Sequence, residues 1–314
     1  MKRAKKKTAK KQPNSALEDF NNIELPDDLD LNDDFLTAFD TIENTKKNLY
    51  ITGEAGTGKT TLLKYFKSQS KRNFVVLAPT GIAAINSGGQ TIHSFFNFPH
   101  KLIQHEDIKK VFNSKKIFQN LDLLIVDEAS MMRADLMDGI DYALRLNKGI
   151  MDIPFAGVQI VLFGDLAQLP PIVDREMAPI YNQLYSTPYF FSANSFGAVP
   201  FHHFTLTTNY RQRDKKFTNI LNRIRDKSIT QEEMGLLNAR VTNIGSVHTG
   251  DTITLTPTNR AAGSINDERL DQLSAKEFSY SAEIYGEYDR SAYPTETELY
   301  LREGAQVLMI KNDP

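Results

Sequence analysis

Residues 53–60 read Gly-Glu-Ala-Gly-Thr-Gly-Lys-Thr, which fits the spacing G-x-x-x-x-G-K-[ST] of a phosphate-binding loop. That spacing has a use only where a strand ends, a glycine-rich turn points its backbone N–H groups inward, and a helix begins. The flanks supply both neighbours. Residues 48–52 form a short apolar run suited to a buried strand, and Leu62, Leu63 and Phe66 recur at helical spacing. In this setting Gly53, Glu54, Ala55, Gly56, Thr57, Gly58, Lys59, Thr60 and Thr61 would surround a nucleotide's phosphates. Lys59 would reach the β- and γ-phosphates, and the Thr60 hydroxyl would ligate Mg²⁺. A glycine-rich turn with an exposed lysine is the minor alternative.

The strand–loop–helix pattern then recurs. Apolar runs at 74–78, 121–126 and 158–163 end in Pro79-Thr80-Gly81, Asp127-Glu128 and Gly164-Asp165. A weaker fifth run, 204–207, leads into Asn209-Tyr210-Arg211. Helical patterns lie between several of them, one carrying Leu136, Ile140, Ala143 and Leu144. Asn32 is placed to cap an earlier helix with Phe35, Leu36, Phe39 and Ile42 on one face. Strands alternating with helices predict an α/β fold, a mostly parallel sheet covered on both faces. The polar groups all fall just past strand C-termini, where such sheets bind ligands.

Beyond Arg211 the texture becomes helical. Phe217, Ile220, Leu221 and Ile224 share a face, and Thr230-Gln231-Glu232-Glu233 has the form of a capping box. A strand at 252–256, a loop at Pro257-Thr258-Asn259 and a helix over 260–273 suggest a second α/β unit. Residues 276–301 lack a clear period and read as a β-rich or irregular insertion, with a last strand at 306–310. The expected division is a tail and linker (1–31), a first α/β domain (32–214), a helical segment (215–250) and the truncated start of a second domain (251–314).

Charge is unevenly spread. Seven of the first 11 residues are basic, whereas 17–34 hold eight acidic side chains and no basic one. The remaining 30 basic residues face 39 acidic ones, so the body is near −9 and any nucleic-acid surface on it must be a local channel. The basic tail reads first as solvated and disordered chain, with a nucleic-acid tether or nuclear address as the alternative. No apolar run of 18 residues occurs, so no membrane span is expected. The absence of Cys removes disulfides, thiolate nucleophiles and zinc–thiolate sites, and fits an intracellular protein, cytoplasmic or nuclear.

Next to a phosphate loop, Asp127-Glu128 after an apolar strand is what nucleotide hydrolysis needs. Asp127 would hold Mg²⁺, and Glu128 would orient and deprotonate a water. Gln168, in Gly164-Asp165-Leu166-Ala167-Gln168-Leu169-Pro170-Pro171, could sense the γ-phosphate, and Arg211 could stabilise charge on the transferring phosphate. Thr91-Ile92-His93-Ser94-Phe95-Phe96 mixes polar donors with rings, as single-stranded nucleic-acid sites do. By residues alone, packing is the better account of Phe95, Phe96 and Phe98, with His93 structural. Tyr285, Tyr288 and Tyr293 likewise suit loop packing better than base stacking, and His202 and His203 have no spaced partners for a metal.

Taken together, GEAGTGKTT, APTGIAAINSGGQTIHSFF, LLIVDEASMM, LFGDLAQLPP and LTTNYRQ, in that order, resemble the Pif (petite integration frequency) family. These are RecD-like helicases of superfamily one, and the resemblance runs over roughly residues 32–314. It implies RecA-like domains and an ATP- and Mg²⁺-dependent motor moving 5′→3′ on single-stranded DNA, acting at duplex/single-strand junctions. Lys59, Thr60, Asp127, Glu128, Gln168 and Arg211 match the family's ATP-site positions. Pro79, Thr80, His93 and Ser94 match segments that touch the single strand, which reverses the packing account of His93, and Thr258 and Asn259 match a loop of the second motor domain. Family members continue past the position of Pro314 into the rest of that domain, so the resemblance implies a missing C-terminal half supplied by further chain or a partner.

Overall fold

Five of the six residues of β1 (Asn48–Gly53) are buried, as in a central strand covered on both faces. In the computed structural model, which describes residues 31–54, 56–208, 215–241, 253–284 and 295–307, β1 lies in a six-stranded sheet. The other strands are β2 (Phe74–Ala78), β3 (Gln90–Thr91), β4 (Leu123–Val126), β5 (Gln159–Phe163) and β6 (Phe201–Leu206). Their order is β3-β2-β4-β5-β1-β6 and every pairing is parallel. The expected strands at 121–126 and 158–163 are there, starting one or two residues later. The described residues belong to two compact units, Met1–Thr218 and Asn219–Pro314.

Side chains alternate across the sheet as the two-residue period requires. Leu49, Ile51, Leu123, Ile125, Val161 and Phe163 face one core, built with α1 (Asp33–Asn44) and α2 (Lys59–Gln69). Tyr50, Leu124, Val126, Ile160 and Leu162 face the other. Helix α3 (Gly81–Ser87) packs on Ala78 of β2 beside α2, whose Lys67 donates to the Ser87 carbonyl at 2.8 Å. On the Tyr50 side lie α4 (Ile92–Phe96), α5 (Lys115–Asn120), α6 (Ala134–Lys148), α7 (Ala178–Leu184) and α8 (Asn194–Gly197). Each buried Leu, Ile or Phe contributes about 1.5–3 kcal/mol relative to exposure. Asn32 caps α1 through Oδ1, which accepts from the Phe35 N–H at 2.8 Å. The buried stripe is Phe35, Ala38 and Ile42, and Leu36, expected on it, is exposed. A step of one residue past Phe35 turns a side chain about 100° away from the core.

Strand β6 starts three residues earlier than the sequence predicts and includes the exposed His202 and His203. An edge strand needs only its backbone to pair with β1, so polarity on its outer faces costs little. The His203 ring stacks on Tyr50 with centroids 5.7 Å apart.

Helix α6 fastens the surrounding loops with carboxylates three residues apart. Asp135 accepts from the Ile103 N–H at 3.0 Å and holds Arg133 through both oxygens, at 2.8 and 2.9 Å. Asp138 accepts from the Ser195 N–H and the Tyr185 hydroxyl, at 2.8 and 3.0 Å. Asp141 accepts from Phe155 N–H and pairs with Arg145. These loops have little regular structure, and the carboxylates, of which Asp135 and Asp141 are buried, satisfy backbone groups that no strand reaches.

Helix α9 (Lys215–Arg225) begins in the first unit and continues into the second; Ile220 is buried on it, Phe217 and Leu221 are half-buried, and Ile224 is exposed. The Thr230–Glu233 capping box opens α10 (Gln231–Asn238), and Thr258 caps α11 (Asn259–Asp271). A hairpin of β7 (Glu277–Ser281) and β8 (Glu298–Arg302) is the β-rich element expected within 276–301. Residues 253–256 form no strand. Ile253 and Leu255 are 75% and 92% exposed, so their alternation finds nothing to pack against among the described residues. Gln306 and Val307 are not in a strand either; 308–310 lie outside the described residues, as do Tyr285, Tyr288 and Tyr293.

Replacing Asp135 by Ala leaves the part-buried Arg133 unpaired and the Ile103 N–H without its acceptor. Urea unfolding should register a loss of about 3–5 kcal/mol; a loss under about 1 kcal/mol would show that the pair is not a structural fastener.

Candidate nucleotide site

The loop between β1 and α2 is shaped by contacts only glycine permits. A Cβ on Gly53 would collide with Thr57 Oγ1 and come within 2.8 Å of the Leu206 carbonyl. Gly58, the residue before α2, has φ +85°, in the left-handed region open to glycine. Thr57 is buried and locks the turn, donating from N and Oγ1 to the Glu54 carbonyl at 3.3 and 2.9 Å. The Lys59 ammonium folds back onto the Gly53 and Glu54 carbonyls, at 2.6 and 3.1 Å. Those neutral acceptors hold a cation that a phosphate would attract far more strongly. Thr61 is half-buried on the same turn, and Ala55 lies outside the described residues.

Two strands away, Asp127 extends the ladder past β4, its N–H donating to the Leu77 carbonyl at 2.9 Å. Its carboxylate is buried and accepts from the Glu128 N–H at 3.0 Å. Burial, reinforced by the Glu128 charge, pushes the Asp127 pKa up to about 6, although that hydrogen bond and the Lys59 charge oppose the rise. Glu128 has φ +51° and ψ +40°, a left-handed conformation costly for a side-chain-bearing residue. It turns the chain sharply into the 3₁₀ turn Ala129–Met131.

Asp165, buried after β5, organises the third segment. One of its oxygens accepts from the Ala167 N–H and the other from the Gln168 side-chain amide, both at 3.1 Å. Gln168 is itself exposed but held by this tether.

These segments enclose one cavity of about 270 Å³, whose walls include Thr60, Thr80, Asp127, Glu128, Ser130 and Gln168. The sheet order explains the convergence, because β2, β4, β5 and β1 are consecutive neighbours and all end at this edge. Thr80 also caps α3, accepting from the Ala83 N–H at 3.3 Å, and Pro79 precedes it. Sequence reasoning did not assign Ser130, Asn86 or Asp165. Ser130 stood in the acidic segment without a role, and Asn86 gave no signal because only folding brings α3 to the cavity.

Within the same unit, His93 and Ser94 do not line it. His93 and Ser94 are on α4; Ser94 is exposed, and His93 stacks on His100 with centroids 4.5 Å apart. Burial, aided by His100 and Arg133 and opposed by Asp135, lowers the His93 pKa to about 4, so this imidazole is neutral at pH 7. Phe95, Phe96 and Phe98 are buried in the core, as packing requires. Thr258 and Asn259 are exposed at the start of α11 in the second unit, and Arg211 lies outside the described residues. Among the described residues no group of three or more His, Cys, Asp or Glu could hold a metal, His202 and His203 included. No described helix is long and apolar enough to cross a membrane.

A parallel α/β sheet with a phosphate loop after one buried strand and an acidic pair after the strand two places away defines a RecA-like phosphate-loop fold. The family model for the PIF1-like helicase matches residues 30–235, and the chain belongs to that family. It is 32% identical over 287 residues to the ATP-dependent DNA helicase PIF1 of Saccharomyces cerevisiae, covering 84% of this chain and 32% of the yeast protein. Pif1 from Bacteroides, solved with ADP-AlF3 and ssDNA, superposes with a TM-score of 0.77 at 35% identity, over 88% of this chain and 64% of that one. Two coordinating Pif1 helicases at forked dsDNA provide another match, with a TM-score of 0.79, 35% identity, and 87% and 65% coverage. The chain thus spans about a third of the yeast relative and just under two thirds of these solved ones.

A carboxyl with its pKa raised to about 6 favours folding most below its unfolded value near 4, and that contribution is lost as pH rises through 6. Asp127→Asn should therefore stabilise the cation-free protein at pH 7 by about 3 kcal/mol, with the gap closing toward pH 4. Denaturation at both pH values measures this; a variant less stable at pH 7 would contradict the desolvation account.

Proposed function

We propose that the cavity binds ATP with Mg²⁺ and hydrolyses the terminal phosphate bond, and that the chain is the N-terminal part of an ATP-dependent DNA helicase. The motor would move 5′→3′ on single-stranded DNA and act at duplex/single-strand junctions. The observation that carries this reading is the convergence of Thr60, Asp127, Glu128 and Gln168 on one cavity behind the phosphate loop.

The donor set suits Mg²⁺, a hard cation that keeps several waters and completes its shell with substrate phosphates rather than a protein cage. Asp127, buried and at a cost when ionised, would gain from such a cation, with the Thr60 hydroxyl as second ligand. Bound there, the cation would neutralise charge developing on the phosphates. Lys59 would exchange its carbonyl partners for β- and γ-phosphate oxygens, with Gly53 to Thr61 supplying N–H groups around them. Glu128 would take the proton of the attacking water, and Gln168, held by Asp165, would orient that water. Arg211 would stabilise the transferring phosphate.

Pro79, Thr80, His93 and Ser94 would contact the single strand in the first unit, with Thr258 and Asn259 serving the second. Thr80, which both lines the cavity and caps α3, would let nucleotide state reach the strand. We assign 1–31 to a tail, 32–214 to the first RecA-like domain, 215–250 to a helical segment and 251–314 to the start of a second such domain.

The test is Mg²⁺-dependent ATP hydrolysis with and without an unstructured single-stranded oligonucleotide, with Lys59→Ala as the blank. Strong stimulation by DNA is expected, with Glu128→Gln retaining nucleotide while losing about 10²–10⁴-fold in turnover. Turnover indifferent to DNA would point to a phosphate-loop ATPase of another class, such as an AAA-like protein. Nucleotide binding without turnover would point to a module that needs further chain. Arg211→Ala should lower turnover by about 10³-fold with affinity kept; a loss of affinity alone would remove Arg211 from the transfer step.

A further inference from the structure

Ser130 is fully buried, at 0% exposure, yet no described protein group hydrogen-bonds its Oγ. Buried hydroxyls are almost always satisfied, because desolvation without a partner is unfavourable. Nearby groups show how tightly the rest of this region is bonded. Asp127 accepts from the next residue's N–H, Asp165 takes two donors, and Thr57 and Thr80 each bond backbone. Packing fixes Ser130 in place. A Cβ on Gly164 would sit 3.0 Å from the Ser130 nitrogen, so β5 presses directly on this turn. The residue lines the same cavity as Thr60, Asp127, Glu128 and Gln168.

We propose that Ser130 is a positioning residue of the hydrolytic site, its hydroxyl holding an ordered water that hydrogen-bonds onward to the acidic pair or the Gln168 amide. The inference rests on the nucleotide reading of the cavity. A buried water needs two to four polar partners and room for roughly 30 Å³. The cavity, at about 270 Å³, supplies both. A serine serves because its hydroxyl both donates and accepts. It can donate to a carboxylate-side water or accept from one, and so keep solvent in place while Glu128 removes a proton. Ser130 touches no reacting atom in this account. It narrows the positions the water adopts, which lowers the turnover number when lost and leaves ground-state nucleotide binding in place.

Two variants and one structure test this on the 314-residue chain. Ser130→Ala removes a hydroxyl with no protein partner, so its Tm should equal or exceed that of the unaltered protein. Its KM for ATP should stay within about twofold, while kcat falls about tenfold or more, within the range of a positioned proton-transfer step. Ser130→Cys keeps nearly the same volume but is a poor hydrogen-bonding group, and it should be as slow as the Ala variant. An unchanged kcat in Ser130→Ala overturns the proposal, as does full recovery by Cys, which would mean that volume alone matters. A high-resolution crystal structure of the nucleotide-free chain gives the independent reading. A water within hydrogen-bonding distance of Ser130 Oγ that also contacts Asp127, Glu128 or Gln168 supports the assignment, and a hydroxyl satisfied by a protein carbonyl defeats it. If the unaltered chain fails to hydrolyse ATP, the nucleotide reading fails while this crystallographic outcome still decides the role of Ser130.

Discussion

The parallel pairing of β4, β5 and β1 is the constraint on which the chemistry of the first unit depends. Each of these strands is buried on both faces, so none can shift register without moving a row of apolar side chains from one core to the other. Because all three run the same way, their C-terminal ends meet at one edge. The loops that leave them carry the glycine turn, the acidic pair and the Asp165 tether. No long-range ion pair is needed to gather these groups. Hydrophobic layering places them, and short local hydrogen bonds then fix their orientation.

That placement sets up an electrostatic tension. Asp127 ends a fully apolar strand and takes its charge into a dry setting beside Glu128, where ionisation is disfavoured. Lys59, whose charge opposes the rise, is at the same time bonded to backbone carbonyls of its own loop. Asp127 is therefore less well satisfied than a protein selected for stability alone would leave it. A divalent cation brought in with phosphates would relieve that cost, which is how a site can bind strongly without rearranging its framework.

Much of this was readable in the chain, and for a definite reason. The phosphate loop, the acidic pair and the Gln168 segment each follow a run of three or four apolar residues, and a short apolar run bounded by polar turns is how a doubly covered strand appears. Asn32 and Thr230 were legible as caps because capping is decided within four residues. The errors share the opposite property. Strand β6 is set by the backbone of β1, and the failure of 253–256 to pair by what surrounds it. Ser130, Asn86 and Asp165 acquired meaning only once a cavity existed for them to line or to organise. The ring-rich TIHSFF segment shows both limits, since its phenylalanines pack inward as residue type suggests while its histidine is neutralised by burial.

The neutral His93 has a consequence for how this surface would meet a polyanion. Affinity for nucleic acid falls with added salt in proportion to the phosphates neutralised, because each such contact frees condensed counterions. An imidazole with its pKa near 4 and its ring stacked on His100 frees none at pH 7. Grip exerted through α4 would persist as ionic strength rises, so the salt sensitivity of the protein would report on its lysines and arginines and be blind to this helix.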